Sequence, residues 1–424
     1  MMKKRNLLHT GALALLLAAC STTPQSGKQE GQIDIVPAFE NQTELKVSHL
    51  GKNIRYVPLE TTDSSLIVDH NCKVKLSGDK LIVTYRMKSI MHCFLFDGKT
   101  GKFIREIGHP GEGPRDYSEP KVYIHPVTGN IYFHKIPNRL IKYNQEGEFL
   151  GEVIMPSRLT LGFYSLLTQD GMLVYDDEPF TPQYQKSLYY LNETKGEIGN
   201  VSIQRILNAD ENNQEKFRSL GVLRGTGDEI YGLLCYTGAL NAIYKDGTQA
   251  FSTTNYPALW NVKDEFYFHK PLGDTIYRVK ELELEPYRIF HLGERRFSAD
   301  ERGKKEGNEE KLSITYVLET ADLLFFQCAQ NLYGDVKMYN GLYRKSDETL
   351  MMNPTKEGFM DDLTGFLPFH PKTLTPEGGF VGFLKVEDIQ EWLEEHPEVK
   401  LEGALAPLKD LADDANPVVV IVEP

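Results

Sequence analysis

One unit recurs along this chain and limits what it can fold into: a short apolar strand, a polar loop, a second strand ending on an aromatic or aliphatic residue, then a turn. The copies are Lys80 to Tyr85 with His92 to Phe96, Ile131 to His134 with Leu140 to Tyr143, and Met172 to Tyr175 with Ser187 to Leu191. They continue as Glu229 to Leu234 with Ala239 to Tyr244, Glu265 to His269 with Thr275 to Val279, and Leu323 to Cys328 with Val336 to Tyr343. Helical periodicity is scarce between Asn53 and Pro371, and runs of Tyr, Phe, Ile, Leu and Val are punctuated by Gly, Asp, Asn and Pro, the pattern of strands and turns. The units recur at roughly 35 to 60 residues, near the spacing of propeller blades with variable loops. A β-sandwich also supplies short strands, but not the same paired unit in series. The expected fold is all-β, a six-bladed β-propeller.

The end of the chain differs. Lys385 to Glu395 places Ile389, Trp392 and Leu393 at helical spacing, and Pro407 is positioned to start a second helix carrying Leu408 and Leu411. These define a short C-terminal helical segment at about 385–416. Asn416-Pro417 then breaks it, and Val418 to Val422 is a continuous apolar run, as in a strand buried on both faces. A ring has to close, and pairing 418–422 with the opposite end of the chain closes it without a bare edge.

The first residues read as an export signal: Lys3-Lys4-Arg5, the apolar run Leu13 to Leu17, then small residues at Ala18 and Ala19. The run is shorter than the roughly 20 residues of a permanent membrane helix. Leu17-Ala18-Ala19-Cys20 resembles the lipobox of bacterial lipoproteins, which implies lipidation of Cys20 by palmitate-like acyl chains. Each buried CH₂ contributes roughly 0.8 kcal/mol, so several chains anchor firmly. Ser21 in place of Asp implies outer-membrane sorting, and the lack of an acidic cluster after the Cys favours the periplasmic leaflet. The expected division is a signal peptide over 1–19, a tether over 20–40 and the propeller over 41–424.

Composition narrows the partners. The formal net charge is -13, and loss of Lys3, Lys4 and Arg5 makes the body more acidic still, which disfavours nucleic acid. Cys72, Cys93, Cys235 and Cys328 lack Cys-x-x-Cys spacing; buried thiols are expected, with disulfides the alternative in an oxidising compartment.

Further stretches carry a family resemblance across most of the mature chain. They are Tyr56-Val57-Pro58-Leu59-Glu60-Thr61-Thr62, Gly101-Lys102-Phe103 leading to Gly108-His109-Pro110-Gly111-Glu112-Gly113-Pro114, Asp274-Thr275-Ile276-Tyr277, and Asp414-Ala415-Asn416-Pro417. The chain resembles the six-bladed β-propeller lipoproteins of Gram-negative gut anaerobes, relatives of NHL-repeat propellers. Arg115-Asp116-Tyr117 carries one residue more than the family pattern after the Gly-Pro. The resemblance implies fold and compartment more than activity.

Gly108 to Pro114 is Gly-rich, but a phosphate loop needs a following helix, and Val122-Tyr123-Ile124 is strand-like. An inter-blade turn is expected instead. In a propeller of this type, the loops inside each pair share a face with the inter-blade loops. That face would gather Arg86, Lys88, His109, Arg115, Tyr117, Lys135, Asn138, Arg139, Asp176, Asp177, Lys270 and Asp274, with His134 and His269 at strand ends beside the channel mouth. Planar Arg and amide groups there suit an anionic or hydroxyl-rich ligand. No metal-ligand or nucleophile-elbow motif occurs. The expected function is therefore a non-catalytic ligand- or partner-binding propeller, monomeric, without a cofactor, taking a glycan, peptide or envelope protein. The alternative is a hydrolase, lactonase or lyase holding calcium or paired carboxylates in its channel.

Overall fold

Alternation decides the architecture, because successive strand residues point to opposite faces of a sheet and in a ring each face meets a different neighbour. The computed structural model describes residues 30–67, 72–87, 90–155, 164–176, 187–194, 197–205, 217–226, 236–244, 249–254, 259–270, 273–281, 283–298, 301, 306–331 and 335–424, some of them by backbone alone. They form a six-bladed β-propeller of four-stranded antiparallel blades. Blade I comprises Lys73–Ser77, Lys80–Met87, Ile90–Asp97 and Phe103–Glu106. Blade II comprises Glu119–Ile124, Ile131–Lys135, Arg139–Tyr143 and Phe149–Ile154. Blade III comprises Tyr164–Leu167, Gly171–Asp176, Ser187–Thr194 and Glu197–Arg205. Blade IV comprises Leu259–Val262, Glu265–His269, Thr275–Lys280 and Glu283–His291. Blade V comprises Leu312–Glu319, Leu323–Gln330, Lys337–Arg344 and Thr349–Pro354. Blade VI joins Thr373–Leu374, Phe380–Leu384 and Val418–Glu423 to the early strand Asn53–Pro58.

The core is a set of inter-blade seams. Leu81 and Val83 of blade I pack with Val381, Val419 and Ile421 of blade VI, whereas Ile82, between them, packs with Phe133 and Ile141 of blade II. Met172 and Val174 face blade II; Leu173 faces Leu259 and Phe268 of blade IV. Tyr267 and Phe290 meet Phe326 and Tyr343 of blade V, and Phe325 and Leu342 meet Phe380, Val418 and Val420 of blade VI. Strands buried on both faces therefore read as unbroken apolar runs, as at Val418 to Val422.

Three expectations are corrected. Glu229 to Leu234 lies outside the described residues, and Ala239 to Tyr244 belongs to a separate three-stranded sheet, pairing with Phe217–Thr226 and Gln249–Thr254. Blades III and IV pack directly on one another, so this sheet stands outside the ring and the sixth blade is the closing one. The tether does not extend to residue 40: Gln32–Asp34 pairs in parallel with Glu283–His291, and the helix Ile35–Glu40 buries Ile35 and Phe39. Apolar side chains inside this segment draw it onto the ring. Lastly, Pro407 lies inside a 3-10 turn, Gly403–Leu408, instead of starting a helix, while Val386–Glu395 is helical as expected. No helix among the described residues is long and apolar enough to cross a membrane.

Closure joins the two ends of the chain, with Val418–Glu423 antiparallel to Asn53–Pro58. Asn416 clasps the joint from a fully buried position. Its Oδ1 accepts from the Ile67 N–H at 2.7 Å, and its Nδ2 donates to the carbonyls of Glu60 at 2.8 Å and Ser65 at 2.7 Å. Its backbone N–H donates to Thr61 Oγ1 at 2.8 Å. Replacing that amide leaves buried backbone groups unsatisfied, each costing roughly 1–3 kcal/mol. Asn416→Ala is expected to lower stability by about 3 kcal/mol in urea unfolding, and Asn416→Asp, which loses both donors, is expected to fall short of wild type as well.

Candidate functional site

The inter-blade connections and the loops between second and third strands emerge on one face of the ring, here the loop face; the remaining hairpins turn on the opposite, hairpin face. Turn chemistry occupies several of the polar residues expected there. The Gly108 to Pro114 loop folds around the carboxylate of Asp116, whose Oδ2 accepts from the Gly113 N–H at 2.7 Å. A Cβ at Gly111 or Gly113 would meet that oxygen at 2.5 or 2.7 Å, so close approach is what requires glycine here. The loop thus carries its own anion, and the inter-blade turn expected from sequence is what it forms.

Lys135 crosses from blade II and donates its ammonium to the Glu112 and Gly113 carbonyls. Asn138 Nδ2 donates to the Met155 carbonyl at 2.9 Å. Arg139 donates from Nη1 to both carboxylate oxygens of Glu152, at 3.0 and 2.9 Å. The guanidinium of Arg115 lies over the Phe149 ring, 5.3 Å from its centroid. His109 is exposed and its carbonyl accepts from the Tyr117 N–H. Arg86 pairs through its backbone with Met91, and Asp176 with Ser187; Lys88 and Asp177 lie outside the described residues, as does Cys20.

Three of the expected residues, Tyr117, His134 and His269, are buried in the core. Tyr117 is fully buried, stacked 4.6 Å from Phe133, and burial pushes its phenol above the usual range. His134 is buried between Glu119 and Leu140 in blade II. A Tyr or His in a strand is apolar enough to pack, so residue type alone misassigned them to the mouth. Blade IV carries a separate group. His269 is fully buried with Nε2 3.0 Å from the Gly273 carbonyl, Asp274 pairs with Arg296 at 2.7 Å, and the Lys270 carbonyl accepts from the Gly273 N–H. Blade III separates it from the residues of blade II, so the polar set does not converge on one ligand position. Among the described residues, no three His, Cys, Asp or Glu side chains are disposed to hold a metal ion, and Cys72, Cys93 and Cys328 form no disulfide. Burial raises the Cys328 thiol to about 12, which keeps it protonated and unreactive at neutral pH.

The loop face also exposes large aliphatic side chains among these polar groups. Ile136 is 59% exposed, Ile90 51%, Leu66 42% and Leu363 37%. They stand on the connections of blades VI, I and II, which are consecutive in the ring. Sequence reasoning passed them over because it selected polar types; the available signal was Ile136 in the three-residue turn Ile136-Pro137-Asn138.

The fold defines a class: a β-propeller of six four-stranded blades. The chain belongs to the family described as domain of unknown function DUF4934, whose model matches residues 30–423. Among solved structures it is similar to a Bacteroides fragilis protein designated as exported, with 16% identity over 92% of this chain and 98% of that one and a TM-score of 0.52. It is also similar to a DUF4221 member from Bacteroides vulgatus, with 12% identity over 90% and 98% and a TM-score of 0.41. No curated protein matches. At these identities the likeness concerns the fold.

Burial draws the His269 pKa down to about 4, because the charged imidazolium is poorly solvated there. The unfolded chain, with its His near 6.5, binds the proton first, so stability is full above about pH 6.5 and drains as pH falls towards 4. Wild type is expected to lose about 3 kcal/mol more than His269→Gln between pH 7 and pH 4, read from denaturant midpoints at each pH.

Proposed function

We propose that this protein is an exported, lipid-anchored propeller of the outer membrane that binds a protein or peptide partner on its loop face, with no catalysis of its own. The observation that carries the reading is the exposure of Ile136, Ile90, Leu66 and Leu363 on consecutive blades. Contiguous exposed apolar surface marks interaction sites, the role assigned to these four residues, and interface cores are depleted of charge. Lys135, Asn138 and Asp116 are engaged in holding their own turns, which favours a peptide or envelope protein over a glycan. Export is supported by the basic, apolar and small-residue order of the first 19 residues, and by the designation of the similar Bacteroides fragilis protein. Lipidation rests on Leu17-Ala18-Ala19-Cys20.

A photo-crosslinking side chain at position 136 is expected to capture a discrete partner in cells, and one at Val127, 66% exposed on the hairpin face, is not. Ile90→Glu with Leu66→Glu should abolish the adduct while the melting temperature holds; equal capture at both positions sinks the reading. The anchor is checked separately. Cys20→Ser is expected to move the protein from the membrane to the soluble fraction with unchanged thermal unfolding, and retention in the membrane would overturn lipid attachment at this residue.

A further inference from the structure

On the hairpin-face side of the seam between blades IV and V, away from the loop face, we infer an oxyanion-binding cleft built on Arg288. Arg288 lies in the outer strand of blade IV, two residues before Phe290, which packs 5.0 Å from Phe326 of blade V; the shared face turns both side chains to that seam. The strand carries a bulge here, since Tyr277 pairs with Pro286 and Ile276 with Arg288, leaving Tyr287 as the extra residue. Bulges re-aim side chains, and this one sets an aromatic ring beside each guanidinium.

The Arg288 guanidinium lies 5.0 Å from the centroid of Tyr287 and 5.5 Å from that of Tyr343. Arg278 lies 5.2 Å from the Tyr287 centroid. The nearby acids serve other groups. Glu265 pairs with Arg278 at 3.4 Å and accepts from the Tyr267 hydroxyl at 2.7 Å. Glu319, buried, pairs with Lys345 at 2.8 Å and accepts from Trp260 Nε1 at 2.9 Å. Arg288 has no hydrogen-bond or ion-pair partner among the described residues, and its Nε is buried. Ring faces attract the charge of a guanidinium but do not accept its N–H bonds in the planar fork. A half-buried cation with its donors unmet is the complement of a phosphate or carboxylate, which Arg binds through two parallel hydrogen bonds.

The cleft also adjoins the entry of the amino-terminal segment. Gly31 lies against the Tyr287 carbonyl, where a Cβ would come within 2.4 Å, and Gln32 pairs with Ile289. An oxyanion could therefore arrive on a soluble small molecule or on a lipid headgroup, and the chemistry is the same for both.

The test titrates the full chain with inorganic phosphate and, separately, with vesicles of phosphatidylglycerol or phosphatidylcholine, following tyrosine and tryptophan fluorescence. Saturable binding of phosphate supports a soluble source, and binding of phosphatidylglycerol but not phosphatidylcholine vesicles supports a headgroup. Either is expected to weaken at least about tenfold in Arg288→Gln, and less in Arg288→Lys, which keeps the charge and loses the fork. If Arg288 serves only to pack the two blades, Arg288→Gln will melt lower with the same phosphate response, and the inference fails. No response of wild type to either probe also overturns it, whether or not the glutamine variant folds. Partner capture at position 136 is independent of Arg288, so loss of one result leaves the other standing.

Discussion

Each blade is held by its two neighbours, and the antiparallel pairing of Asn53–Pro58 with Val418–Glu423 supplies the last of those contacts. Without it, blade VI would lose its outer strand and the register that brings Val419 and Ile421 to blade I. Val418, Val420 and Val422 face blade V through the same strand. Burial of one such side chain is favourable by about 1.5–3 kcal/mol, so the strand contributes to two seams at once. Asn416 sets this strand in place from the residue before Pro417, and its partners fall within Glu60 to Ile67. Two stretches that are far apart in sequence, and that both carry the family resemblance, thus meet as the two sides of one joint.

The amino-terminal segment adds a second constraint from outside the ring. After pairing with blade IV it runs along blade V, where the Thr43 N–H donates to the Met352 carbonyl, and reaches the blade VI side, where the Val47 N–H donates to the Met360 carbonyl and the Met360 N–H to the Leu45 carbonyl. Ile33 and Ile35 join the seam between blades IV and V, and Leu45 and Val47 the seam between V and VI. The chain consequently enters the fold at the outer edge of blade IV, two blades from the closure. Sequence reasoning missed this entry because it treated residues up to 40 as tether. Ile33, Ile35 and Phe39 were the contrary signal, three apolar residues in a stretch too short to show a period.

Most of the fold was legible because a strand buried on both faces has to be apolar throughout, and turns between such strands have to be polar. That rule found five of the ring's strand pairs. It also accepted Ala239 to Tyr244, since an antiparallel sheet outside the ring obeys the same local pattern; only the direct packing of Leu173 and Leu188 on Leu259 and Phe268 excludes it. Blade VI escaped notice because its innermost strand is two residues, Thr373–Leu374, and a helix separates its second and third strands.

The site was less legible for a different reason: the residues that build turns are the residues that bind ligands. Lys135, Asn138 and Asp116 have the right chemistry for either role, and which role each plays depends on whether a backbone partner stands within reach. At the loop face one does for all three, while Ile136, Ile90, Leu66 and Leu363 stay exposed. Arg288 is the converse case. It sits inside a strand and looks in sequence like any solvated arginine, yet the bulge at Tyr287 turns it into a seam whose acids are already paired. Unmet hydrogen-bonding capacity is therefore a property of the assembled ring, set by where neighbouring blades put their carboxylates, and it separates a cationic cleft at one seam from an apolar surface on the loop face.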